Sequence, residues 1–71
     1  MEKLTKEKAL KRVEDIKKMA CDDEAAHSSE DALLRWFVTC VANGSYSKAE
    51  AIEVAKIVHS VSEIQFARWC A

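Results

Sequence analysis

Residues 22–44 read DDEAAHSSEDALLRWFVTCVANG, and the fold turns on whether they make one helix or two. Asp22 is a good N-cap, and Asp23 and Glu24 follow where a helix dipole favours anions. Asn43-Gly44 is an equally good stop signal. One long helix from Asp22 to about Ala42 is the expected reading. A break at Ser28-Ser29, either of which could cap a shorter helix, is the alternative.

Turning that helix by about 100° per residue, with Leu33 at zero, gathers its apolar side chains. Trp36, Cys40, Phe37, Val41, Leu34 and Val38 fall between about −60° and +140°. An arc of about 200° is wider than one neighbour covers. The helix is therefore expected to be central, packed on two sides or part of an oligomer interface. Leu34, Trp36, Phe37 and Val38 are its core or interface residues.

The same rotation divides the acidic start. Glu30 at about 60°, Asp23 at about 80° and His27 at about 120° continue the apolar arc. Glu24 and Asp31 lie at its edge, where Asp31 can pair with Arg35. An inward carboxylate needs a partner, because an isolated buried charge costs several kcal/mol. Only four basic residues follow residue 31. Arg68, beside Trp69 and Cys70, is the expected clamp, since a guanidinium can hold a carboxylate bidentately. Asp23, His27, Glu30, Arg68, Trp69 and Cys70 are thus expected to form a polar network or interaction site.

Outward from this segment, helix 1 should run from just after Thr5 to about Cys21. Leu10, Val13, Ile16 and Ala20 mark its apolar side, with Glu7–Lys11, Lys11–Asp15 and Glu14–Lys18 spaced for surface pairs. Ser47-x-x-Glu50 is a capping box that opens helix 3, which should reach about His59 with Ile52, Ala55 and Val58 or His59 inward. Ser62-x-x-Gln65 is a second capping box, with Val61 and Phe66 spaced as a hydrophobic staple. It predicts a short fourth helix carrying Phe66, Arg68 and Trp69. With no proline and one glycine, β-hairpins have few turns to use. The reading is all-α, a single domain over residues 1–71: three longer helices and a short C-terminal one.

Seventy-one residues bury only about 60% of the unfolded surface, so oligomerisation or idealised helices must help. Net charge is −1, but residues 1–18 hold seven Lys/Arg against four Asp/Glu, and residues 22–31 hold five acids and no base. Such a chain can pair with itself, within one molecule or between two. The basic run reads as a solvated helix face, with a phosphate-binding surface as the rival. Three widely spaced cysteines, Cys21, Cys40 and Cys70, and no signal peptide fit a reducing cytoplasm. No apolar run is long enough to span a bilayer, and Cys70-Ala71 is too short for a prenylation box.

No complete catalytic set is visible, so an enzyme is not expected and no cofactor is implied. Glu24-x-x-His27 has the spacing used by carboxylate-bridged di-iron bundles. One helix cannot finish such a site, because Asp23 and Asp31 stand about 12 Å apart along its axis. Cysteine nucleophiles near His27 or His59 have no support from spacing. Residues 48–69 can also be read as a helix-turn-helix, KAEAIEVAKIV, HSVS, EIQFARW, exposing Glu63, Gln65 and Arg68. One arginine beside a glutamate in an acidic protein is a poor footprint for DNA.

Two stretches taken together, DDEAAHSSEDALL at 22–34 and EIQFARWCA at 63–71, resemble a group of small all-helical proteins encoded by bacteriophages and prophages. In that group an acidic A-H-x-x-E-D segment precedes a helix, and the chain closes on F-A-R-W-C-A. The resemblance covers about a third of the chain and carries no activity. It implies a phage or bacterial cytoplasmic origin and a link between Ala26, His27, Glu30, Asp31 and residues 66–71. The function expected is protein–protein contact, through self-association or on a host protein such as a defence enzyme. Helix-turn-helix regulation and metal binding through Glu24 and His27 are the alternatives.

Overall fold

The computed structural model describes residues 2–66. Three α-helices follow one another, α1 (Lys6–Lys18), α2 (Asp23–Ala42) and α3 (Lys48–His59), and a 3-10 helix (Ser60–Glu63) comes next. No strand occurs among the described residues. The class is all-α.

Each helix starts where its first side-chain oxygen can accept a free backbone N–H. Thr5 accepts from Lys8 at 3.3 Å, Asp22 from Ala25 at 3.2 Å and Ser47 from Glu50 at 3.2 Å. Asp23–Ala42 form one helix, with no break at Ser28-Ser29. It ends in a Schellman motif, Gly44 N–H to the Val41 carbonyl and Ser45 N–H to that of Cys40, each 3.0 Å. Gly44 sits at φ +69°, a conformation that costs a residue with a Cβ but not glycine.

The helices run up, down and up. Lys3 reaches Glu50 at 2.8 Å and Lys6 reaches Glu53 at 3.4 Å, a constant offset that shows α1 and α3 parallel. α2 returns between their ends and packs on both. The molecule measures 35 × 17 × 17 Å, and its long dimension is close to the length of α2, about 30 Å for twenty residues.

Ala26, Leu33 and Cys40 form the innermost line of α2, each at most 2% exposed. Seven-residue steps shift by only about 20° around a helix, so these three stay on one line. They meet Ala9, Val13 and Ile16 of α1, Val54 and Val58 of α3, Val61 of the 3-10 helix and Leu4 from the N-terminal segment. Leu10 is not part of this core but 49% exposed, and Ile52 is 47% exposed. Steps of three, as in Leu10–Val13–Ile16 and Ile52–Ala55–Val58, drift backward by about 60° each and leave any single face. The buried sets, 9/13/16 and 54/58/61, use steps of four and three and hold their direction. His59 is exposed as well.

The fourth helix does not open at Ser62. Glu63 ends the 3-10 turn and Ile64 is extended, at φ −78° and ψ 130°. Ile64 and Phe66 both pack on the core while Gln65 between them is exposed. That alternation is what an extended segment gives and a helix does not. The second helix of a helix-turn-helix is correspondingly not present over residues 63–66.

Candidate interaction face

The broad apolar arc of α2 is real, but the fold uses half of it. Leu33 and Cys40 are buried, and Trp36 and Phe37 are half-buried against the core. All four lie between about −60° and +40°. At about 80° to 140° stand Val41, Leu34 and Val38, which remain 48%, 43% and 60% exposed. They follow one another at steps of four and three, forming a strip along the outside of the helix. Leu34 and Val38, expected as core or interface, are therefore not core.

The acidic start continues this strip toward the N-terminus. Asp23 is exposed rather than turned inward, and Glu30 is partly buried. His27 keeps 16% of its side-chain surface and has Asp31, one turn on, at 3.8 Å from Nε2. Asp31 meets this imidazole in place of the expected Arg35. Asp22 caps the helix from an exposed position, and Glu24 is exposed. Arg68, Trp69 and Cys70, the expected partners of this segment, lie outside the described residues. Among the described residues no three His, Cys, Asp or Glu side chains gather as a metal site would require.

Two hollows flank the strip. One of about 310 Å³ lies between α2 and the corner of α3 with the 3-10 helix, walled by Leu33, Leu34, Val58 and Val61, with Glu30 and His59 also lining it. The other, of about 350 Å³, is shallow and lined by Asp31, Leu34, Arg35 and Val38. Leu34 borders both.

The opposite side of α2 is closed by residues 2–5. The Trp36 indole donates to the Glu2 carbonyl at 2.6 Å, and the Tyr46 hydroxyl to that of Leu4 at 2.6 Å. The Leu4 N–H donates to the Cys40 sulfur at 3.4 Å. Lys3 lies 5.4 Å from the centre of the Tyr46 ring, which stacks on Phe37 at 5.8 Å. Burial above all, with the Cys40 sulfur and Glu50 beside it, pushes the Tyr46 hydroxyl from 10.0 up to about 12. Leu4 and Ala9 occupy the two staple positions around the Thr5 cap. That spacing was present in the sequence as the signal for a strap that the reading of helix 1 passed over.

Most cations of the basic run have partners within the chain. Lys3, Lys6, Lys8, Lys11 and Lys17 each meet a carboxylate, and Arg12 lies over the Trp36 ring at 5.0 Å. The bond from Lys8 draws the Glu2 carboxyl below its ordinary range. The chain does pair with itself, Lys3 and Lys6 meeting Glu50 and Glu53 of α3. No helix among the described residues is long and apolar enough to cross a membrane. No protein-family model, curated protein or solved structure matches this chain.

Proposed function

We propose that this chain works by protein–protein contact and that the outer face of α2 makes the contact. The observation behind this reading is the strip of Leu34, Val38 and Val41, between 43% and 60% exposed in a protein with little core to spare. Single exposed apolar side chains are ordinary. Three in register on one helix match the anchor spacing by which helices recognise helices. By analogy with the small phage-encoded proteins that residues 22–34 and 63–71 resemble, the partner is a host protein, and self-association through the same strip is the second route.

Val38→Glu tests the reading. The side chain is the most exposed of the three, so the variant should keep the helical circular dichroism and the melting temperature of the parent. Proteins captured from a bacterial lysate by the parent, or its oligomer measured by light scattering, should be lost. A variant with the parent's full set of partners and the parent's mass would remove the strip from consideration.

A further inference from the structure

We infer that the partner segment is a cationic amphipathic helix, apolar over one half and basic over the other, a proposal that rests on the outer face of α2 being the contact. The face is divided along its length. Its C-terminal half presents Val38 and Val41, and Leu34 stands at the middle. Its N-terminal half is acidic. Asp31 keeps 54% of its side-chain surface, and Glu24, two turns nearer the N-terminus, is exposed. Residues 22–34 contain no lysine or arginine. Arg35 stands at the edge of the strip, beyond Asp31, and is its single basic neighbour on α2.

Size and charge choose between occupants. Stable complexes bury about 800 Å² on each partner, and three half-exposed aliphatic side chains supply a small part of that. A tight symmetric dimer on this strip alone is therefore disfavoured. In an antiparallel pair of α2 helices, overlapping the two apolar halves also leaves both acidic ends beyond the contact. Sliding them together sets Asp31 against apolar side chains, where a carboxylate loses water without gaining a cation. A helix from another protein meets no such conflict. With Leu-like anchors at steps of four and three over about two turns, it covers Leu34, Val38 and Val41. With Lys or Arg over the next two turns, it meets Asp31 and Glu24. The stretch from Glu24 to Val41 is about 26 Å long, so the segment needs about seventeen residues.

The test uses two synthetic eighteen-residue peptides with leucines at i, i+4 and i+7 in one half. The other half carries four lysines in the first peptide and four glutamates in the second. Fluorescence anisotropy should show the lysine peptide binding the full chain at least about tenfold more tightly than the glutamate peptide. The affinity should fall as salt rises. Val38→Glu should lose at least about tenfold, and the double variant Glu24→Gln/Asp31→Asn should lose most of the salt dependence while keeping the parent's circular dichroism. Equal binding of both peptides, binding of neither, or unchanged salt dependence in the double variant overturns the cationic partner. A parent dimer that Val38→Glu dissociates overturns it too, yet leaves the face as the contact. If Val38→Glu changes neither peptide binding nor mass, the face itself fails.

Discussion

The two long sides of α2 are chemically similar and structurally opposite. On one, Leu33 and Cys40 are buried, and Trp36 and Cys40 hold the N-terminal strap. On the other, Leu34, Val38 and Val41 face water. Composition does not separate them, since each carries aliphatic residues at helical spacing. What separates them is the number of neighbours available. α1, α3 and residues 2–5 surround one side, and a chain of this length has no further helix among its described residues to cover the other. The apolar arc is wider than the described elements cover, and its uncovered half is the surface that the proposed contact would use.

The comparison breaks most directly at adjacent leucines. Leu33→Ala should cost about 2–5 kcal/mol, because it leaves a cavity in the core. Leu34→Ala should stay within about 0.5 kcal/mol, as surface changes do. Urea denaturation of the two variants checks this, and equal losses would mean that the strip is packed after all. The strap side can be sharpened next. Tyr46→Phe removes the donor to the Leu4 carbonyl and should cost about 1–2 kcal/mol, read from the same denaturation curves.

The same hydroxyl gives the bundle a signature in alkali. Tyr46 is held protonated up to about 12, against 10.0 for a free phenol. Below pH 10 it is neutral in folded and unfolded chains, and its bond contributes in full. Between 10 and 12 the unfolded chain loses the proton first, so stability falls as pH rises. Melting temperatures over that range should drop faster for the parent than for Tyr46→Phe, which has no phenol to titrate. The smallest effect is expected at Lys11, whose exposed pair with Asp15 spans 2.7 Å. Lys11→Ala should leave the melting temperature unchanged, since exposed pairs add little.

The starts of the helices were legible because they are local chemistry. Thr5, Asp22 and Ser47 each bond an N–H three residues away, and no distant contact is needed to recognise them. The inward faces of α1 and α3 were legible only in part. Reading Leu10–Val13–Ile16 and Ile52–Ala55–Val58 follows steps of three, which reach the buried Val13, Ile16 and Val58 but begin at the exposed Leu10 and Ile52. The steps that hold direction put Ala9 and Val54 inward. Which half of the α2 arc would be covered could not be read from α2, because the answer depends on where α1, α3 and the strap arrive. The site is legible to the same degree. Leu34 and Val38 were visible as apolar positions on a broad arc, but their exposure is a tertiary property.

Leu4 has no exposed surface, although it stands outside every helix and only three residues from the start of the chain. Terminal residues usually exchange their amide hydrogens as fast as an unfolded peptide does. The Leu4 N–H, covered and bonded to Cys40, can exchange only when the strap lifts from α2 and the α3 end of the bundle. Its exchange rate in deuterated buffer is therefore a clock for that opening. If it keeps pace with the amides at the centre of α2, the strap and the bundle open as one unit.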